Sequence, residues 1–211
     1  MADVKSKELK EKLFYKRKNA YNALSGAEIE AAEVFCEGYK RFIDIGKTER
    51  EACAEAVKIA ESKGFAPFEK GKKYRPGDKV YVNNRGKAVI LAVIGTEPVE
   101  NGVNLVAAHI DSPRLDLKQN PLYENEELGY FKTHYYGGIK KYQWTTIPLA
   151  LHGVVYRADG AVVTVTIGED EGDPILMVSD LLIHLAADQM RKTASEVIAG
   201  EQLNVILGTE P

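Results

Sequence analysis

Several features that would fix the class of a protein at once are scarce in this 211-residue sequence. It has two cysteines, Cys36 and Cys53, and each falls inside a helical pattern. That is no disulfide framework, and the N-terminus mixes charges without the apolar core of a secretory peptide, so a cytoplasmic protein is expected. No apolar run approaches the ~20 residues that span a bilayer, because Gly, Pro or charge breaks each one; no membrane partner is expected. An excess of one charge is also missing. Lys plus Arg is 28 against 31 Asp plus Glu, for a net charge of -3, which argues against nucleic acid as a partner. The phosphate loop Gly-x-x-x-x-Gly-Lys, the Gly-x-Gly-x-x-Gly fingerprint and the Gly-x-Ser-x-Gly elbow are all absent, and neither cysteine carries a catalytic signature.

What remains is ordinary globular material, 45% hydrophobic and 28% charged, enough for one large domain or two small ones. Lys16-Arg17-Lys18 and Lys10-Glu11-Lys12 surround Leu13, Phe14 and Tyr15, a solvated helix face or else a docking arm. Ser25 with Glu28 reads as a capping box ahead of a stripe of Ile29, Ala32, Phe35, Cys36, Tyr39, Phe42 and Ile43. Thr48 with Glu51 repeats the box before Ala52, Ala56, Ile59 and Ala60, and Gly64 stands where a left-handed cap belongs. Two helices therefore precede any sheet.

From Tyr74 the period changes to two. Lys79–Asn83 and Lys87–Ile94 flank Asn84-Arg85-Gly86, a hairpin signal. Asn104–His109 is a short apolar run of the kind that makes a central strand buried on both faces. Beyond Pro113 the chain turns polar and rich in Tyr, and a domain boundary is placed there. A second hairpin follows, Leu149–Arg157 and Ala161–Ile167 about Ala158-Asp159-Gly160. Pro174–Val178 reads as another strand, Ser179 or Asp180 as the cap of a helical turn through His184 to Met190, and Leu203–Leu207 as a last apolar run.

His109-Ile110-Asp111 stands where the buried run ends, and strand alternation puts both polar side chains on one side. A neutral imidazole can ligate zinc while a neighbouring carboxylate fixes its tautomer. A hydrogen-bonded structural histidine is the bland alternative for so short a triplet. His134 and His152 read as structural, and His184, inside Leu181-Leu182-Ile183-His184-Leu185, is either a core histidine or one aimed at a site. Glu124, Glu126 and Glu127 read as a solvated loop, and Trp144 as a packing or interface anchor.

The segment Val106-Ala107-Ala108-His109-Ile110-Asp111-Ser112-Pro113-Arg114-Leu115 resembles the His-Thr-Asp-Ser-Pro motif of the aspartyl-aminopeptidase family of zinc metallopeptidases. Tyr136-Gly137-Gly138-Ile139, Trp144, Leu149–Arg157, Val178–Leu185 and the tail Gly200–Gly208 follow in the family's order. The resemblance implies an α/β fold: residues 1–113 as the N-terminal part of a zinc-exopeptidase domain, with helices and a mixed sheet, and 114–211 as an inserted, β-rich and incomplete dimerisation domain. It implies His109 as a zinc ligand, Asp111 as its partner, and His184 as the histidine sent into a neighbouring subunit's active site to hold substrate or stabilise the tetrahedral intermediate. Two zinc ions, Zn2+, per complete site would polarise the scissile carbonyl and supply hydroxide, with a glutamate as general base. Peptides would lose N-terminal residues, acidic ones included, in a homo-oligomer built from dimers. The remaining ligands and that glutamate lie downstream of the inserted domain in the family, so the chain is expected to be an N-terminal fragment that needs a missing C-terminal half. It would then be inactive alone and expose apolar surface. The competing expectation is a non-catalytic oligomerisation or interaction module. A third, a nucleic-acid binder using Lys16, Arg17 and Lys18, requires strongly salt-dependent binding.

Overall fold

The computed structural model describes residues 2–208, with side chains from residue 5 onward. It has a mixed α/β fold that divides into two units, residues 1–44 and 45–211.

The first unit holds α1 (Ala2–Leu13), a short 3-10 turn at Ala20–Asn22, and all but the last residue of α2 (Gly26–Ile45). The basic segment is helical only as far as Leu13; beyond it Phe14 and Tyr15 are exposed. The first capping box forms as expected. The backbone N–H and hydroxyl of Ser25 donate to Glu28 at 2.7 and 2.8 Å, and Glu28 N–H returns to the Ser25 hydroxyl. The apolar stripe of α2 is present and partly exposed: Phe35, Tyr39 and Ile43 are exposed, whereas Ile29, Ala32 and Phe42 are half-buried.

The second unit begins with α3 (Glu49–Ser62), whose capping box is complete: Glu51 N–H donates to Thr48 Oγ1, and Thr48 N–H to Glu51 Oε2. Its far end closes as a Schellman turn. Gly64, at φ +83°, and Phe65 donate to the carbonyls of Glu61 and Ala60. Then β1 (Ala66–Pro67) runs parallel to β2 (Lys79–Asn84), which pairs antiparallel with β3 (Ala88–Val93). Arg85 and Gly86, at φ +59° and +67°, make the tight turn that the sequence signals.

Next come β4 (Arg114–Asn125) and β5 (Leu128–Tyr136), a long hairpin whose far strand also pairs with β8 (Val205–Gly208). The reading of this stretch from composition misses that hairpin. Leu115 and Leu117 alternate within Arg114–Lys118, and that alternation is the overlooked signal. Glu126 and Glu127, read as a solvated loop, form its tight turn at φ +52° and +62°. The second expected hairpin is present as β6 (Leu151–Tyr156) and β7 (Val162–Ile167). Pro174–Val178 yields only single bridges, Leu149 to Leu176 and Met177 to Ile206. The turn around His184 is 3-10 (Ile183–Leu185), with Asp180 Oδ1 accepting from Leu181 N–H.

The core of this unit is built from Leu176, Val178, Ile198, Leu203 and Val205, with Phe131, Trp144, Leu149 and Leu151 packed against it. Thr133 of β5 is buried and its hydroxyl donates to the Leu203 carbonyl. Trp144 is thus a packing residue.

The expected central strand is absent. Asn104–His109 is not a strand; it is irregular and exposed, with Leu105 at 82% and Val106 at 96%. An apolar run forms a central strand only between two neighbours that take up its N–H and C=O groups, and no described strand pairs with it. Among the described residues no helix is long and apolar enough to cross a membrane.

Leu203 is fully buried whereas Leu105 touches little, so their truncations should separate in denaturant melts. Leu203→Ala is expected to cost about 2–5 kcal/mol, and Leu105→Ala to stay within about 0.5 kcal/mol. Equal losses would contradict this placement of the core.

Candidate active site

Gly102, at φ +110°, leads into the irregular segment that carries His109 and Asp111. Although no strand holds them, the two side chains are brought together. His109 Nδ1 lies 2.8 Å from the Asp111 carbonyl oxygen and 3.2 Å from its Oδ1. With Nδ1 engaged, Nε2 is the nitrogen left to face outward, on a side chain that is 82% exposed.

The other end of Asp111 is held from β5. Tyr136 donates its hydroxyl to Asp111 Oδ2 at 2.8 Å. Tyr136 is itself fixed by strand register, since it pairs with Arg114 at the start of β4, and the Arg114 guanidinium sits 4.2 Å from its ring centroid. Arg114 Nε donates to Asp116 Oδ1 at 2.6 Å, and its far nitrogen lies 3.9 Å from Glu49 Oε2 of α3. Gly137 takes φ +80° to leave β5 beside Pro113, two residues after Asp111. The Tyr136 hydrogen bond, together with those of the Asp111 backbone and His109, outweighs burial and lowers the Asp111 pKa. The same bond, with the charge of Asp111, raises that of Tyr136, which keeps its proton.

His184 stands apart. It is exposed on its 3-10 turn among exposed Leu182, Ile183 and Leu185, and among the described residues no hydrogen bond joins it to His109 or Asp111. Sequence reasoning overlooked Tyr136 and Arg114 as site residues, although Tyr136 opens the Tyr-Gly-Gly motif.

His152, read as structural and either facing solvent or packed on the sheet, is instead enclosed between two carboxylates. Its Nδ1 is 2.8 Å from Glu51 Oε1 and its Nε2 2.9 Å from Glu169 Oε1. These residues line a groove of about 830 Å³, together with Glu49, Arg114 and Trp144.

A catalytic zinc takes about three protein ligands and an open position. Among the described residues no group of three or more His, Cys, Asp or Glu side chains is arranged to hold a metal. His109 with Asp111 behind it fits one ligand of such a site, and the described donor set does not make a whole one.

Residues 42–211 match the model of a family described as aminopeptidase I zinc metalloprotease (M18). A probable M18 family aminopeptidase 1 of Clostridium acetobutylicum is 50% identical over 198 residues, 92% of this chain and 43% of the relative. The crystal structure of an M18 aminopeptidase from Thermotoga maritima superposes with a TM-score of 0.84 at 43% identity, covering 94% of this chain and 43% of that one. The mApe1 dodecamer of S. cerevisiae, at 16% identity and a TM-score of 0.63, shares the fold. The chain thus spans less than half the length of the relatives it matches.

Removing the phenol hydroxyl tests the Tyr136 link. Tyr136→Phe is expected to raise the Asp111 pKa toward the ordinary carboxylate range, read by carboxyl NMR titration. Because the folded-state pKa is lowered, the stability from this bond is present above the unfolded value and fades as pH falls through the folded one. An unmoved Asp111 titration in the variant would show that the hydroxyl does not hold it.

Proposed function

The chain belongs to the M18 family of aminopeptidase I zinc metalloproteases, and we propose that it is part of a zinc-dependent aminopeptidase that removes N-terminal residues, acidic ones included, from peptides. The observation that carries this reading is the His109–Asp111 pair, with Nδ1 held and Nε2 facing outward. In it His109 is a zinc ligand and Asp111 fixes the ring's orientation and tautomer. Tyr136, through its hydroxyl, fixes Asp111 in turn. Zinc, when bound, polarises a carbonyl and acidifies water. The remaining ligands and the general base belong, in this reading, to the part of the relatives' length that this chain does not span, where two ions would be held.

Residues 1–113 are assigned to the peptidase domain and 114–211 to the dimerisation domain. The β-rich character of the latter, with β4 to β8, supports that division. His184 is assigned to substrate holding or intermediate stabilisation in a neighbouring subunit, which its exposed, apolar-flanked turn supports. Assembly into dimers and larger homo-oligomers is supported by the dodecamer that shares the fold. Two free cysteines, one exposed and one buried, support a cytoplasmic setting.

The second reading, a non-catalytic oligomerisation module, is favoured by one observation: the described residues lack a complete metal site. A fusion of residues 1–211 to the remaining length of the Clostridium acetobutylicum relative separates the two. With zinc, the fusion is expected to release N-terminal Asp or Glu from peptides, and the 211-residue chain alone to release none. His109→Ala in the fusion should lower bound zinc and cut the rate by at least ~10–100-fold. A zinc-loaded fusion that cleaves no peptide would sink the enzyme reading. A defined, metal-independent oligomer of the chain, seen by light scattering, would then carry the other.

A further inference from the structure

The pairing of His152 cannot be made by an ordinary neutral histidine. A neutral imidazole has one N–H, and its second nitrogen presents a lone pair. Here both nitrogens face carboxylate oxygens, Glu51 Oε1 at 2.8 Å and Glu169 Oε1 at 2.9 Å. A lone pair set against a carboxylate at that distance is repulsive, so the arrangement calls for an imidazolium donating at both ends. The His152 side chain is only 12% exposed, so the two carboxylates rather than bulk water are its partners on both nitrogens.

We propose that His152 is a proton-operated latch between three elements: protonated, it clamps Glu169 behind β7 to Glu51 of α3 from its place on β6; deprotonated, it keeps Glu51 and lets Glu169 go. The proposal is independent of the peptidase reading. The order of release follows from how each carboxylate is held. Glu51 is locked by its second oxygen, Oε2, which accepts from the Thr48 backbone N–H at 2.9 Å and hydroxyl at 3.0 Å. Glu169 is more exposed, 41% against 26%, and water can take over its hydrogen bonds. The proton therefore leaves Nε2 to solvent, and the neutral ring retains Nδ1–H toward Glu51.

The backbone that carries Glu169 stays in place. Asp173 Oδ2 accepts from Gly168 N–H at 2.7 Å and from Asp170 N–H at 3.3 Å. Gly168, at φ +98°, sits so close to Leu149 and Ala150 that a Cβ there would approach their backbone to 3.1 Å. Release is then a swing of one side chain at the rim of the groove.

The charges on the groove walls magnify this step. From α3 and the residues before it come Lys47, Glu49, Arg50 and Glu51; from β4, Arg114 and Asp116; from the turn after β7, Glu169. Arg114 is engaged by Asp116 and Glu49, Arg50 lies over the Tyr156 ring, and the ion pairs of Glu51 and Glu169 both run to His152. With His152 charged, the lining is balanced; without that charge, a carboxylate is left in excess. Burial works against the charged ring, but the hydrogen bonds to Glu51 and Glu169 outweigh it and raise the His152 pKa. The clamp's contribution is therefore complete below the ordinary histidine range and lost as pH rises through the raised folded-state value.

Ring 1H–15N correlation spectra of the 211-residue chain, recorded from about pH 5.5 to about pH 9 around the ordinary histidine pKa of ~6.5, test this. The His152 signals are assigned as those lost in His152→Gln. Both ring nitrogens should be protonated at the acid end, with the midpoint above the ordinary value. The neutral form should be the Nδ1–H tautomer. Glu169→Gln, a change on an exposed side chain, should bring the midpoint back toward the ordinary value. A midpoint at or below that value, a neutral Nε2–H tautomer, or an unmoved midpoint in Glu169→Gln would each overturn the latch.

Discussion

Glu51 divides its two carboxylate oxygens between two jobs. Oε2 closes the first turn of α3 by accepting from Thr48, and Oε1 holds His152 of β6. A helix start leaves N–H groups unsatisfied, and a capping box is the local answer to that deficit. Here the same residue also reaches the strands, so a local cap and a long-range tie share one side chain. Two residues away, Glu49 approaches Arg114 of β4. The first turn of α3 is thus where the helix and mixed sheet of the second unit meet its β-rich remainder. The fixed geometry of a helix end is suited to that role, because its φ and ψ angles are already determined.

The Tyr136–Asp111–His109 chain follows from the same region. Arg114 faces Glu49 and Asp116 with its polar edge and Tyr136 with its flat face, and Tyr136 holds Asp111. A planar guanidinium can do both at once, which a lysine ammonium cannot match. The imidazole therefore keeps a defined partner even in a segment without hydrogen-bonded regular structure.

What could be read from the sequence and what could not divide along the range of the interactions. Both capping boxes, the Gly64 cap and the turns at Asn84-Arg85-Gly86 and Ala158-Asp159-Gly160 depend on neighbours within a few residues, and all are present. Asn104–His109 has the composition of a central strand, but a strand exists only with partners, and composition does not supply them. The β4–β5 hairpin was hidden for the opposite reason. Its tight turn is made by two glutamates in a left-handed conformation rather than by the glycine or asparagine that usually marks one. For the candidate site, His109 and Asp111 were legible because they are two residues apart. The surroundings of His152 were not: its partners are 101 and 17 residues away, and nothing in the local pattern points to them.

The composition of the core bears on how this chain is made. Its buried side chains, Leu176, Val178, Ile198, Leu203 and Val205, all come late in the sequence, whereas Leu115 and Phe131, which rest on them, lie on β4 and β5. A ribosome adds residues at about 5–20 per second, so the span from Tyr136 to Val205 takes roughly 3–15 s to synthesise. Through that interval the hairpin has emerged without the side chains that will cover it, and Thr133 waits for the Leu203 carbonyl. The nascent chain therefore closes this core in one late step, once residues 176–205 have followed the hairpin out of the ribosome.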